Sequence, residues 1–273
     1  MKILHTIEKA HRVFHTSGSS PLLLTCDDFN DWVCKYDRFP QYLFNELIAS
    51  KFAEVFGIKT PEIALINVKK EHVPLEHLPN LQLNWFDKLC FGSRYLKNSK
   101  EIDHTTLGLF KDVSFQRKLQ DKEDFLKIAL FDIWLANEDR NQNNTNLLLC
   151  TTPEKVNLFY AIDHVCIFNS SSLNYGLAQL TEVDSILNSE LAKILFGRSR
   201  DLNFIVNNLV EKFYLCIELC QEKLDEILEL VPESWEINLS EISAAIQTRL
   251  FSNKWKQECE NSFRTFIQTF IVT

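Results

Sequence analysis

The sequence predicts an α+β protein with two lobes. Residues 1–95 form a small β-rich lobe with one helix, and residues 96–273 a larger, mostly helical lobe. Three observations predict this. Short runs of residues that favour pleated structure crowd the first part of the chain, with a single helical pattern among them. Helical apolar periodicity dominates from residue 122 onward. The two patterns are segregated rather than alternating, which is the order of an α+β fold and not of β-α-β units.

In chain order, Ile3 to Phe14 is an apolar-rich run with a charged middle, read as a strand pair or one bent strand. His15 to Ser20 is a loop of small residues, Pro21 to Thr25 a short strand, and C-D-D-F-N-D a hairpin turn. Trp32 to Tyr36 is a strand of residues suited to a pleated surface. Gln41 to Phe56 carries apolar residues at 43, 44, 47, 48, 52, 55 and 56, a helical spacing, and Gly57 is placed to cap its end. Pro61 to Val68 is another strand. Leu81 to Phe91 is mixed and is expected to hold the strand that leads out of the first lobe. Lys122 to Ala136 is helical, with apolar residues at 125, 128, 129, 133 and 136. Two short strands follow near 146–150 and 157–162, folded back by T-T-P-E-K at 151–155. Helical patterns at 184–196, 201–229, 239–251 and 255–271 complete the chain.

Composition narrows the function classes. With 273 residues, 45% hydrophobic and 24% charged, the chain has room for a large core, and 21 Phe against one Met point to a rigid aromatic one. The net charge of −8 argues against direct nucleic-acid binding, which needs a basic face. The eight cysteines form no C-x-x-C pair and sit mostly in apolar runs, where a reduced thiol acts as a small hydrophobe. A cytoplasmic protein without structural disulfides is the expectation. The N-terminal M-K-I-L-H-T-I-E-K has no signal-peptide core, and no apolar run approaches the roughly 20 residues of a membrane span.

The stretch with the most chemistry is N-E-D-R-N-Q-N-N-T-N-L-L-L at 137–149, followed by F-Y-A-I-D ending at Asp163. Alone, a polar Asn-rich loop between helix and strand is more often turn chemistry. Here it is enclosed by strongly apolar elements, and Asp163 follows a second strand at hairpin distance. A kinase-type phosphoryl-transfer site needs this order: a carboxylate to orient the attacking hydroxyl, a carboxamide oxygen for magnesium, then a second carboxylate after the next strand. Asp139, Asn144 and Asp163 fill those places. Lys35 ends an apolar strand, where an ammonium needs a partner, and Glu46 lies on the following helix beside Leu43 and Leu47. Each alone reads as an ordinary edge lysine or a solvated glutamate; together, ahead of the Asp139 loop, they suit a phosphate anchor. The loop T-S-G-S-S at 16–20 lets backbone N–H groups approach phosphate, although it is neither G-x-G-x-x-G nor a Walker A. Asp132, on the apolar face of helix 122–136, is read as a brace for the 138–144 loop through its backbone or Arg140, with Asn137 in a similar role. His164 is read as structural.

These residues together resemble the HipA-like kinases, in particular the compact bacterial single-chain members. The resemblance runs through S-G-S-S-P-L-L-L at 17–24, W-V-C-K at 32–35, N-E-L-I-A-S at 45–50, G-I-K-T-P-E at 57–62, F-G-S-R-Y-L at 91–96, F-D-I-W-L-A-N-E-D-R-N-Q-N-N-T-N-L-L-L at 131–149 and A-I-D-H at 161–164. The phosphatidylinositol kinases share the D-R-x-x-x-N and I-D pattern and look like distant relatives. The resemblance implies a two-lobed protein-kinase-like fold and ATP-dependent, magnesium-assisted phosphoryl transfer, in several members to Ser or Thr of a protein. It implies Asp139 as catalytic base, Asn144 and Asp163 as magnesium ligands, and Lys35 as the phosphate-binding lysine with Glu46 as its helix partner. It further implies Ser17, Gly18, Ser19 and Ser20 as the loop over the phosphates, and Leu89 and Phe91, within 89–92, as the segment that meets adenine. Asn146 falls on a family asparagine with a local structural role.

The departures are Asn141, where relatives often carry His or Thr, a loop without the Gln and Lys of toxin-type members, and His-Val rather than Phe-Gly after Asp163. No DNA-binding segment is recognised, so an antitoxin or regulatory partner is expected as a separate protein, beside a protein substrate and without a membrane. Two alternatives stand beside the protein kinase: a kinase of the same fold acting on a lipid or small molecule, and a catalytically silent binding module.

Overall fold

The computed structural model describes residues 1–15, 20–78 and 81–272. Six strands form the first sheet: β1 (Ile3–His5), β2 (Arg12–Val13), β3 (Leu22–Thr25), β4 (Asp31–Lys35), β5 (Ile63–Asn67) and β6 (Cys90–Arg94), in the order β1-β5-β6-β4-β3-β2. Only β1 with β5 is a parallel pair. The run Ile3–Phe14 therefore holds two strands, but on opposite edges of the sheet. The chain between them ties the edges together: Thr6 N donates to Asn67 O at 3.2 Å and Ile7 N to Thr25 O at 3.1 Å.

Helix α1 (Pro40–Phe56) follows β4. Proline in its first turn and Gly57 in the left-handed conformation (φ 62°), whose N–H reaches Ala53 O and Glu54 O, set its two ends. Its flank is not one apolar stripe. Every residue from Leu43 to Ser50 is buried, including Asn45 and Glu46. Apolar pairs at 43–44 and 47–48 bracket the two polar residues, so burying one set buries the other.

The second part holds a three-stranded sheet, β7 (Ser99–Glu101), β8 (Leu147–Thr151) and β9 (Asn157–Ala161), in the order β7-β8-β9. Around it lie α2 (Leu107–Phe110), α3 (Val113–Gln116), α4 (Asp124–Leu135), the short element α5 (Ile167–Ser171), whose residues Phe168–Ser171 have positive φ and wind left-handed, α6 (Glu190–Phe196), α7 (Leu202–Glu222), α8 (Leu224–Leu228), α9 (Leu239–Ala245) and α10 (Asn253–Phe270). Three expected helices differ in detail. The pattern at 184–196 yields only α6, preceded by 3₁₀ turns capped by Thr181 and Ser185. The pattern at 201–229 breaks at Lys223 into α7 and α8, and α9 runs into a π-helical turn at Ile246–Leu250. The mixed stretch resolves into 3₁₀ turns up to Leu83–Asp87, then the exit strand β6.

Apolar packing places the site. The outer face of the first sheet (Leu22, Leu24, Trp32, Cys34, Ala64, Ile66) buries against Val73 and Phe86 as a small separate core. The inner face (Ile63, Leu65, Phe91) joins α1, α4, α7 and the C-terminal helices in one large core. Phe52 and Phe56 of α1 pack on Trp134 of α4 at ring-centroid distances of 5.4 and 5.2 Å. The chain leaves the sheet after Arg94, yet the apolar core does not divide there. Among the described residues, no helix is long and apolar enough to cross a membrane.

Candidate active site

Lys35 ends β4 and points to the inner face, because side chains alternate along a strand and Trp32 and Cys34 occupy the outer one. Its Nζ meets Glu46 Oε1 on α1 and Asp163 Oδ1, the latter at 2.9 Å. Glu46 is buried, Lys35 and Asp163 partly open. Burial opposes the charge on Asp163, but the Lys35 ammonium outweighs it and holds the carboxyl down at about 2. Burial pushes Glu46 up against the pull of Lys35, with the Asp163 charge adding to the rise. Burial would lower Lys35, and its two carboxylates more than reverse that. One lysine thus joins the sheet, the helix and a loop of the second part of the chain.

The hairpin β8–β9 sets the rest. Its register starts at Leu147 opposite Ala161, and Ile162 N donates to Asn146 O at 3.0 Å, so the 137–146 loop and Asp163 leave from the same end. Asp139 Oδ2 accepts from Asn144 Nδ2 at 2.9 Å and from Asn146 Nδ2 at 3.2 Å. With its amide nitrogen so engaged, Asn144 keeps its carbonyl oxygen as donor atom for a cation. Burial pushes the Cys166 thiol up to about 11, and the charges of Asp139 and Asp163 both add to the shift.

Under this loop lies the expected brace. Asp132 Oδ1 accepts from Asn137 Nδ2 at 2.9 Å, and Arg140 Nε lies 2.8 Å from Asp132 Oδ2, an ion pair whose N–H is not aimed along the contact. Arg140 is fully buried and also donates to the carbonyl of Asn146. Burial pushes Asp132 up, with Arg140 and Asn137 opposing. Ala136 (φ 50°), Asn146 (φ 46°) and Asp163 (φ 57°) are left-handed, a conformation that costs energy in residues other than glycine and gathers at functional sites.

Other expected residues fall differently. The Ser20 carbonyl accepts from Tyr36 Oη at 2.8 Å, and Ser17, Gly18 and Ser19 lie outside the described residues. Leu89 N–H is 3.5 Å from Ser234 Oγ and Leu89 O accepts from Trp235 Nε1 at 2.6 Å, so its backbone is engaged by the C-terminal part. Phe91 is enclosed in the large core. Neither is free to meet a purine edge. His164 is buried, its Nδ1 3.9 Å from Glu46 Oε2, and burial together with Arg140 and Lys35 drives its pKa well below the ordinary value.

Sequence reasoning missed Asn45, whose Nδ2 reaches Val165 O at 2.7 Å and Ser171 Oγ at 2.9 Å, and Glu138, which holds Asn169 and Ser170. The bracketing apolar pairs of α1 were the available signal for Asn45; Glu138 had none.

Magnesium takes hard oxygens, with one or two carboxylates and the remainder from phosphate and water. An ionised Asp163 and the free oxygen of Asn144 fit that need. Among the described residues no group of three or more His, Cys, Asp and Glu forms a metal cluster.

A mostly antiparallel sheet, a helix carrying a lysine-paired glutamate, and a helical part with an Asp-Asn loop ahead of a second aspartate follow the order of a kinase-type fold. The chain belongs to the HipA-like kinase family, whose model matches residues 7–267. Among solved structures it is similar to the proinflammatory kinase CtkA of Helicobacter pylori, with a TM-score of 0.57 at 13% identity over 96% of this chain and 98% of that one. It is also similar to HipA of Shewanella oneidensis MR-1, solved with HipB and operator DNA, with a TM-score of 0.45 at 13% identity over 91% of this chain and 64% of that one. A search of curated protein sequences gives no match.

Proposed function

We propose that this chain transfers the γ-phosphoryl group of ATP to a Ser or Thr hydroxyl of a protein. The observation that carries the reading is Lys35: its ammonium joins Glu46 of the first lobe and Asp163 of the second, next to a loop in which Asn144 and Asn146 hold Asp139. The lobes divide near residue 95, with 1–95 binding nucleotide and 96–273 carrying the catalytic loop.

In this reading Lys35 holds phosphate oxygens and Glu46 keeps it aimed. Asn144 and Asp163 hold magnesium, which when bound neutralises charge on the phosphates. Asp139, fixed by its two carboxamide donors, orients the acceptor hydroxyl and takes its proton. Ser17, Gly18, Ser19 and Ser20 cover the phosphates. Leu89 and Phe91 are not carried forward, because their groups are already used. The protein acceptor is supported by the family resemblance. The eight unpaired cysteines support a cytoplasmic location, and the net charge of −8 supports contact with DNA only through a separate regulatory protein.

The test is magnesium-dependent stabilisation by ATP, followed by transfer of labelled γ-phosphate to lysate proteins. Saturating ATP at 100 times Kd raises stability by about 2.7 kcal/mol. Wild type should show this and Asp163→Ala should not. Asp139→Ala should bind ATP yet transfer nothing. Equal stabilisation of wild type and Asp163→Ala would overturn the metal assignment. Transfer only to lipid or a small hydroxyl compound would replace the protein acceptor, and binding without transfer would leave a nucleotide-binding module.

A further inference from the structure

Among the described residues, the longest run of positive φ follows Asp163. Phe168 (φ 58°, ψ 41°), Asn169 (φ 48°, ψ 60°), Ser170 (φ 56°, ψ 46°) and Ser171 (φ 75°) wind left-handed in succession. L residues disfavour this, asparagine least, and it persists as single residues rather than runs. Four in a row need surroundings that over-determine them.

Those surroundings come from three directions. Phe168 is fully buried in the large core and anchors the turn from below. On one side stands Glu138, the residue before Asp139. Its Oε1 accepts from Asn169 Nδ2 at 3.1 Å and its Oε2 from Ser170 Oγ at 3.0 Å, so both carboxylate oxygens serve the turn. The main chains are laced as well: Asn169 N donates to Ala136 O at 3.0 Å and Glu138 N to Cys166 O at 3.4 Å. Asn169 also closes the far end, accepting at Oδ1 from Ala178 N at 2.8 Å. On the other side stands Asn45, the residue before Glu46. Its single amide nitrogen bonds Val165 O and Ser171 Oγ, the two ends of the segment.

The turn is therefore clamped by the neighbour of the loop aspartate and by the neighbour of the helix glutamate. We propose that Glu138 and Asn45 are positioning residues, which through the left-handed turn 168–171 fix Asp139 relative to the Lys35–Glu46–Asp163 cluster. This rests on the proposed phosphoryl transfer only for its kinetic readout. Neither residue touches the reacting groups. Removal of Glu138 leaves groups that find other partners: Asn169 keeps Ala178, and Ser170 is exposed to water. The loss should fall on alignment more than on stability.

The experiment compares wild type, Glu138→Ala, Glu138→Gln, Asn45→Ala and the double alanine variant, using Mg-ATP turnover read as labelled phosphate released or transferred. Glu138→Ala should lower kcat by about 10- to 100-fold, the range for partners that orient a reacting group. Its KM for ATP should stay within about twofold, since ground-state binding is untouched. Glu138→Gln keeps an oxygen for Asn169 and should restore most of the rate. The double variant should be little worse than the worse single one, because both act through one turn. A raised KM with unchanged kcat, a glutamine variant as slow as alanine, or multiplicative losses would each overturn the proposal. Should wild type fail to turn over Mg-ATP, the functional reading falls and the clamp is judged by hydrogen exchange. Glu138→Ala should then speed exchange in 138–146 and 166–172 together while leaving β3 and β4 unchanged. Faster exchange in only one of these segments, or in neither, would reject it.

Discussion

The two sides of the candidate site are held by different physics. On the N-terminal side, Lys35 and Glu46 ride on a strand and a helix whose apolar residues sink into one large core, with α1 packed on α4 and α7. On the C-terminal side, Asp139 rides on a loop with little apolar surface of its own. It is held by carboxamides, by the Asp132–Arg140 pair and by left-handed backbone. Apolar packing is non-directional and tolerates small errors, so it suits the placing of whole elements. Hydrogen bonds are directional, and a buried unpaired partner is expensive, so they suit the placing of one oxygen. The Lys35–Glu46 pair is consequently formed by the fold itself, whereas the Asp139 side depends on a few named contacts.

The largest expected effects come from breaking each side once. Arg140→Ala strands the buried Asp132 carboxylate and should destabilise by about 3–5 kcal/mol, as loss of one partner of a buried pair does. Phe52→Ala opens a void against Trp134 and Phe251 and should cost a similar amount, about 3–5 kcal/mol. Denaturant unfolding gives both magnitudes, and pH separates them. The Arg140→Ala loss should shrink as Asp132 is protonated: its folded carboxyl titrates above the usual carboxylate range, so acid neutralises the stranded charge. The Phe52→Ala loss should not change with pH. Equal pH dependence of the two losses would remove the distinction.

A smaller effect sharpens the seam between the two sides. His164 lies against Glu46, and its folded pKa is far below its unfolded one. The unfolded chain then binds a proton that the folded chain refuses, so stability is full above about pH 6.5 and falls as pH drops below it. The slope from this one group is at most about 1.4 kcal/mol per pH unit. His164→Gln should flatten the stability curve between pH 6.5 and 5 by that contribution, and an unchanged slope would show that the imidazole is not held neutral.

Much was legible in the chain because it rests on local rules. The α1 helix is written in its spacing, with Gly57 at the left-handed cap, and the strand carrying Lys35 and the strand just before Asp163 are short runs of pleat-favouring residues. The Asp139, Asn144 and Asp163 order was visible because it lies within one loop and the hairpin after it. The brace of Asp132 on Arg140 was visible too, since a carboxylate on the apolar face of a helix must find a donor. The surroundings of Leu89 and Phe91 were not legible, because the exit strand starts where the sequence was mixed. Only folding showed that Trp235 and Ser234, nearly 150 residues later, engage the Leu89 backbone.

The sequence by itself determined which residue types sit in which elements, and hence the α+β order and the inventory of reactive groups. Those follow from periodicity, capping and turn preference, which act over a few residues. Tertiary structure alone decided that the first strand and the second lie on opposite sheet edges, that α1 belongs to the core of the second lobe, and that Glu138 and Asn45 clamp a left-handed turn. Those facts depend on contacts between distant segments, where no local preference of the backbone records which partner will be met.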